Sequence, residues 1–158
     1  MDISFTAGQN RFNYRVCAVI LSGERILAMR DERSPYYYLP GGRVQMSETA
    51  EHAVIRELEE ELRIHADIIR PLWMNQSFFN EDIDKLNYHE ICIYFLIDVS
   101  RTDLLERGSR FSIREGQHIH EFEWLPFERL ADEYFYPVFL KTGVFDLPTQ
   151  FTLRVEYE

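Results

Sequence analysis

The chain has 158 residues, of which 46% are hydrophobic, so one folded domain can bury a substantial core. The formal net charge of −10 argues against a general binder of nucleic-acid polymers or membrane surfaces, because both need a basic face. No basic-then-apolar leader opens the sequence, and the longest apolar run, Val16 to Leu21, is too short to span a bilayer. We therefore expect a single domain over residues 1–158, in the cytoplasm.

Strand patterns fill the chain before its main helix. Residues 15–21 are predicted as a buried strand, the Ser22-Gly23 pair as a turn, and residues 25–30 as the returning strand. Residues 36–39 form a short aromatic extension that stops at Pro40.

One long helix follows. It is predicted from apolar residues that recur every four positions, namely Ala50, Val54, Leu58 and Leu62. Ser47 is the predicted N-cap, and Glu48 and Glu51 follow where the helix dipole favours negative charge. The helix should end near Leu62.

The second half of the chain reads mainly as strands. Two long strands, 64–79 and 86–99, are joined by an acidic turn, and a late strand over 121–125 precedes a short helix that Pro126 opens. A second short helix is predicted near 137–141, and the alternating tail 151–157 as an edge strand. The whole pattern predicts an α/β fold, with a mixed sheet and one long helix on a face.

The helix carries an unusual acidic face. In RELEEELRI, residues 56–64, Glu57, Glu60 and Glu61 stand at i, i+3 and i+4 and therefore project from one side. Like charges at these spacings destabilise a helix by roughly a few tenths of a kcal/mol per pair, unless a cation lies between them. Three such carboxylates suit Mg²⁺ or Mn²⁺. On the helix alone, a solvated acidic surface is the alternative.

The segment before the helix favours the metal. A Gly-Gly turn in PGGRVQMSETAEHAV feeds the helix N-terminus, and glycines let the backbone approach a ligand closely. With the acidic face, it resembles the signature of the Nudix hydrolase family. The matching positions are Gly42, Glu48, Arg56, Glu57, Leu58, Glu60, Glu61 and Ile64, spread over 23 residues. Arg63 departs from the pattern, because the family has Gly there.

The resemblance implies a Nudix-type α/β/α sandwich around a mixed β-sheet, and Mg²⁺- or Mn²⁺-dependent hydrolysis of a diphosphate linkage. The substrate would be a nucleoside diphosphate-linked compound or a nucleoside triphosphate. The implied metal ligands are Glu57, Glu60, Glu61 and the carbonyl of Gly41. Glu48 and Arg56 would fix the loop against the helix, and an Arg56–Glu60 pair at i, i+4 could orient that carboxylate.

Further site residues are expected outside the box. Some family members use another Glu from the loop before the last core strand, and Glu115 is the candidate here for a fourth metal-binding carboxylate. Glu121 and Glu123 are the alternatives, although salt-bridged strand residues are the simpler interpretation of both. Gly42 belongs to the substrate-binding loop. Arg15 and Arg30, at strand ends, are candidate phosphate contacts, with plain exposed arginines as the alternative.

Other motifs are weaker. His118 and His120 share a strand face, but no Cys or further His has the spacing of a zinc site. Cys17 and Cys92 each lie in an apolar run and are predicted to be buried free thiols. The helix exit is less regular, because a Gly at position 63 would take a left-handed conformation that costs other residues roughly 1 kcal/mol. Either Arg63 accepts this strain, or the helix ends differently, with Arg63 pairing with Glu59. We expect the second, a local change of exit geometry.

Two functions fit this resemblance. The first is the hydrolase, and the alternative is a non-catalytic Nudix-fold module that binds a nucleotide-like ligand. Every carboxylate of the box is intact, which favours the enzyme. Some branches carry Pro or Tyr beyond the box, where Phe79 to Asp82 stand here. This disfavours dedicated ADP-ribose and diadenosine polyphosphate hydrolases. The expected partner is a small nucleotide-like diphosphate, and the apolar tail would suit a homodimer.

Overall fold

The computed structural model describes residues 1–158 and contains nine strands, two α-helices and two 3-10 helices. The strands are β1 Ser4–Ala7, β2 Asn10–Ser22, β3 Arg25–Arg30, β4 Gly41–Arg43, β5 Asp67–Asn80, β6 Asn87–Asp98, β7 Arg110–Glu115, β8 His118–Pro126 and β9 Thr152–Tyr157. The α-helices are α1 Ala50–Leu62 and α2 Leu140–Gly143. The 3-10 helices are Leu104–Arg107 and Phe127–Asp132. The predicted strands and helices are present, whereas β1, β4, β7 and the 3-10 helix Leu104–Arg107 were not predicted.

The strands form one mixed sheet in the order β7-β8-β3-β2-β6-β5-β9, with β1 and β4 also paired to β2. Strand β2 runs parallel to β6 and antiparallel to β3 and β4. Strand β5 is antiparallel to β6, and the tail strand β9 is parallel to β5. The parallel β2–β6 pair is made possible by the long connection that contains α1.

Apolar side chains cover both faces of the sheet. On one face, Val54, Leu58 and Leu62 of α1 pack against inward residues of β2 and β6. On the other face, Leu130 and Leu140 from the helices after β8 pack onto the sheet. The α/β/α sandwich predicted from the resemblance is confirmed.

The start of α1 differs from the prediction. Thr49, not Ser47, is the N-cap, and its hydroxyl accepts the His52 N–H at 3.1 Å. Ser47 instead adopts a left-handed conformation with φ of 67°. The helix begins later than predicted because the preceding turn is closed by the Glu48 carboxylate, which accepts the Gln45 N–H at 3.0 Å.

The end of α1 also differs. Arg63 takes the left-handed conformation, with φ of 55° and ψ of 42°, and its N–H donates to the Glu59 carbonyl. The predicted change of exit geometry is therefore wrong, and so is the Arg63–Glu59 ion pair. Glu59 pairs with His65 at 2.8 Å, while the Arg63 guanidinium donates to the Arg114 carbonyl at 2.9 Å. Arg63 therefore adopts the left-handed C-cap conformation that a Gly would adopt there, and it does so with backbone strain.

Cys17 and Cys92 are buried free thiols, as predicted. None of the helices is both long enough and apolar enough to cross a membrane.

Candidate active site

A network of charged hydrogen bonds joins the loop before α1 to the helix. Arg56 donates through Nε and Nη2 to the two oxygens of Glu48, at 2.7 and 2.9 Å. Its Nη2 also donates to the Arg43 carbonyl at 3.1 Å. Both side chains are largely buried, and the paired guanidinium lowers the pKa of Glu48. Arg56 thus holds the loop and β4 in a fixed position over the helix.

Glu57 lies directly beneath β4. A Cβ at position 42 would come within 2.3 Å of Glu57 Oε1, so only Gly42 leaves room for this carboxylate. Burial raises the pKa of Glu57, although the Arg56 guanidinium, 3.0 Å from Glu57 Oε1, opposes the shift. The negative charge of Glu60 raises this pKa further.

Glu61 is the most deeply buried carboxylate on α1, with 8% of its surface exposed. Its Oε1 accepts the Gly41 N–H at 2.9 Å. Burial raises the pKa of Glu61 well above its usual value, and the negative charge of Glu57 adds to the shift. The hydrogen bond from Gly41 only partly offsets these effects. Two partly satisfied carboxylates therefore lie close together beneath the Gly-Gly turn.

Glu60 completes the acidic face but is more exposed to solvent than Glu57 and Glu61, with 51% of its side chain accessible. It pairs with Arg56 at 3.3 Å, which confirms the predicted i, i+4 contact. No group of three or more His, Cys, Asp or Glu side chains is arranged to hold a metal ion in this structure. The donor chemistry nevertheless fits a hard divalent cation, because the cluster offers only carboxylate and backbone oxygens and crowds negative charge.

Glu115 lies at the end of β7, close enough for its charge to raise the pKa of Glu61. Its Oε2 is 2.9 Å from His120 Nε2. His120 is buried, and its other nitrogen, Nδ1, lies 3.5 Å from Asp31 Oδ2. The structure therefore brings the candidate fourth carboxylate toward the helix cluster and anchors it through a buried histidine.

Comparison with known proteins identifies the family of this chain. A family model described as the NUDIX domain matches residues 11–141. The chain belongs to the Nudix family. Membership of this family makes it a hydrolase that acts on phosphorus-containing anhydrides. No curated protein matches the sequence significantly.

Solved structures share the fold at low sequence identity. A MutT NUDIX hydrolase from Burkholderia pseudomallei is 22% identical with a TM-score of 0.52, covering 74% of this chain and 84% of that chain. A UDP-X diphosphatase is 17% identical with a TM-score of 0.56, covering 89% and 66% respectively. An ADP-ribose pyrophosphatase from Streptococcus suis is 14% identical with a TM-score of 0.53, covering 90% and 98%. At these identities the likeness concerns the fold alone.

The two arginines predicted near phosphate differ in setting. Burial raises the pKa of both Glu57 and Glu61, and the positive charge of Arg15, on β2, opposes that rise. Arg15 therefore lies within electrostatic reach of the Nudix carboxylates. Arg30 lies 3.6 Å from Glu121 and stacks over the Tyr37 ring at 4.6 Å. It also lines a surface cavity of about 530 Å³, a volume typical of small-molecule sites.

The alternatives to Glu115 have structural roles. Glu121 is exposed and pairs with Arg30. Glu123 is buried, accepts the Tyr37 hydroxyl at 2.9 Å, and pairs with Arg129 at 3.1 Å and Arg110 at 3.3 Å. These are the salt-bridged strand residues that the simpler interpretation of the sequence describes.

Sequence reasoning missed the role of His120. The HIHE pattern drew attention to a shared strand face, and the structure shows that His118 and His120 pair with Glu32 and Glu115 respectively. The signal that could have found this role was the return of β8 directly after the β7 turn. A tight hairpin places residue 120 close to residue 115, but β7 itself was not predicted.

Proposed function

We propose that this Nudix protein is a metal-dependent hydrolase that cleaves the diphosphate linkage of a nucleoside diphosphate-linked compound or a nucleoside triphosphate. The observation that carries the proposal is the pair of carboxylates beneath the Gly-Gly turn, Glu61 buried and Glu57 partly buried. Each has a raised pKa and too few hydrogen-bond donors for its charge. Such a pair is stabilised by a bound cation, and a folded protein keeps it where chemistry needs it.

The metal would be held by Glu57, Glu60 and Glu61, with the Gly41 carbonyl and Glu115 as further oxygen donors. When bound, Mg²⁺ or Mn²⁺ neutralises charge on phosphate oxygens and makes a bound water more acidic. The residues of the chain provide the positioning that phosphoryl transfer depends on.

Several side chains have separate tasks in this scheme. Arg56, hydrogen-bonded to Glu48, fixes the position of the loop relative to the helix carboxylates. Arg15 donates to a phosphate oxygen, since its charge reaches Glu57 and Glu61 and, unlike Arg56, it forms no ion pair with a carboxylate. Glu115, oriented by His120, is placed to accept the proton of the attacking water.

The group beyond the diphosphate is assigned by class. The names of two structural relatives, a UDP-X diphosphatase and an ADP-ribose pyrophosphatase, describe hydrolysis of nucleoside diphosphate compounds by those proteins. The cavity beside Arg30 has room for such a group in this chain. We propose that residues 1–158 act as one domain on this small-molecule substrate.

A substrate panel tests the proposal. Purified protein is incubated with nucleoside triphosphates, nucleotide sugars and nucleotide alcohols, with Mg²⁺ or Mn²⁺, and products are resolved by chromatography. We expect turnover of at least one class, with a loss of about 100-fold or more in Glu60→Gln. Glu59→Gln is the matched control, because Glu59 lies on the same helix and pairs only with the exposed His65 side chain. The proposal fails if no compound is hydrolysed, or if both variants retain full activity.

A further inference from the structure

Strand β9 at the edge of the sheet has its apolar side chains facing solvent. Its apolar residues alternate along the strand and are at least half exposed, with Leu153 at 65%, Val155 at 52% and Tyr157 at 79%. Phe151, directly before the strand, is 48% exposed. An edge strand that exposes both apolar side chains and unpaired backbone groups is a site for pairing with another strand.

The backbone of β9 is satisfied on one side only. The Glu158 N–H donates to the Phe78 carbonyl of β5, and the Arg154 carbonyl accepts from the Gln76 side-chain amide of the same strand. Residues 154, 156 and 158 therefore direct their backbone groups toward β5. Because these directions alternate along a strand, Leu153, Val155 and Tyr157 point theirs away from the sheet. No strand pairs with that side.

We propose that this edge pairs with the same edge of a second copy of the chain, antiparallel and centred on Val155. A twofold axis at Val155 places Leu153 opposite Tyr157 of the partner subunit, and Arg154 opposite Glu156 of the partner subunit. The outward-pointing residues then form the hydrogen-bonded pairs, and the sheet continues from one protomer into the next.

Charge selects this register. Centring the pair on Arg154 would oppose two arginines, and centring it on Glu156 would oppose two glutamates, both of which are destabilising. Centring it on Val155 creates two Arg–Glu pairs. Arg154 can use such a partner, because it forms no ion pair within its own chain and its guanidinium stacks over the Phe139 ring at 4.1 Å.

The area points to a moderate affinity. The two aromatic side chains offer part of the roughly 150–250 Å² that each can bury. The four apolar residues together stay below the roughly 800 Å² per partner of a standard interface. We therefore expect association at about micromolar concentration, with backbone hydrogen bonds supplying the specificity.

A charge-swap pair of variants tests the interface. Sedimentation velocity on the wild type from about 1 to 200 µM should show a monomer–dimer equilibrium. Arg154→Glu and Glu156→Arg each place like charges opposite one another twice, so each variant alone should dimerise about tenfold more weakly or worse. Mixed in equal amounts, the two variants form a heterodimer with two opposite-charge pairs, and dimer should return. Circular dichroism of each variant checks that the fold is retained.

A cysteine at the axis gives a second measurement. Paired residues in the hydrogen-bonded position lie about 5.5 Å apart between Cα atoms, which suits a disulfide. Val155→Cys should therefore crosslink to a dimer under mild oxidation. Ile83→Cys is the control, since that residue is 93% exposed but far from β9 in sequence and should not crosslink. A monomer at every concentration, equal dimerisation in all charge variants, or equal crosslinking by both cysteines would overturn the proposal.

Discussion

Glu61 on α1 and Glu123 on β8 are each 8% exposed, yet their surroundings shift their pKa values in opposite directions. Burial would raise both. At Glu123 the Tyr37 hydroxyl and two arginines outweigh burial and lower the pKa. At Glu61 one backbone N–H is the only hydrogen-bond donor, and Glu57 adds repulsion. At equal burial, the number of donors and cations therefore distinguishes the two carboxylates. Glu123 has enough of them to stabilise the fold, whereas we infer that Glu61 has room for a cation.

The difference matters because a buried acid without enough partners lowers the stability of the folded state. Two cations surround Glu123, since Arg110 of β7 and Arg129 of the 3-10 helix after β8 are both bonded to it. On α1 a single guanidinium, Arg56, pairs with Glu57, Glu60 and the loop residue Glu48, and none of these ion pairs reaches Glu61. We interpret the surroundings of Glu123 as structural and the face of α1 as functional.

The largest effect is expected when each carboxylate is neutralised. Glu61→Gln should reduce turnover by about 100-fold or more, while leaving the metal-free protein as stable as the wild type, because Gln can still accept the Gly41 N–H. Glu123→Gln should keep turnover and lower the free energy of unfolding by about 1.5 kcal/mol through loss of its charged hydrogen bonds. Steady-state kinetics and urea unfolding on both variants measure this. If Glu123→Gln proves the less active of the two, the comparison is reversed.

The second largest effect is expected from added metal, which should raise the Tm only when the carboxylates of α1 are intact. At a concentration 100 times its Kd, a cation that binds only the folded state adds about 2.7 kcal/mol, or a rise in Tm of about 5–10 °C for a chain of this size. Wild type and Glu123→Gln should both show this rise with Mg²⁺, and Glu61→Gln should show little of it. Thermal unfolding with and without EDTA checks the shift. An equal rise in all three proteins would place the cation elsewhere.

Acid stability should report the structural carboxylates. Hydrogen bonds from Arg33, together with the Tyr38 hydroxyl, outweigh burial and lower the pKa of Asp31 from 3.8 to about 2. A lowered pKa contributes stability above the unfolded value of 3.8, and that contribution is lost as pH falls from there to about 2. The stability difference between wild type and Asp31→Asn should thus be constant from pH 7 to 5 and shrink below about pH 4. Urea unfolding across this range tests it, and a difference that grows toward acid would contradict the assignment.

Much of the fold follows from local patterns. The four-residue apolar repeat of α1 and the alternation in β9 depend on neighbours in sequence, so they were predictable. The acidic face was predictable for the same reason, since three carboxylates on two turns define their own geometry. Strand β7 was missed because RFSIRE is polar and gains its place only by pairing with β8. The His120–Glu115 contact depends on that pairing and was missed with it.

The end of α1 shows a local prediction overridden by a distant contact. Arg63 was expected to avoid the left-handed region, since that conformation is unfavourable for a residue with a Cβ. Its guanidinium reaches the Arg114 carbonyl on β7, 51 positions away in sequence, and ties the helix end to the hairpin. No pattern around residue 63 carries that information.

Replacing Arg63 gives the smallest expected effect and tests how the two regions are joined. Gly relieves the left-handed strain, worth roughly 1 kcal/mol, but loses the hydrogen bond to Arg114, worth about the same or less because it is exposed. Arg63→Gly should therefore change the Tm by no more than about 2–4 °C, whereas Arg63→Ala, which keeps the strain and loses the bond, should be clearly less stable. Calorimetry on the two variants separates the contribution of the backbone strain from that of the hydrogen bond. If Ala matches Gly, the left-handed conformation carries no strain at this position, and the hydrogen bond alone accounts for the arginine.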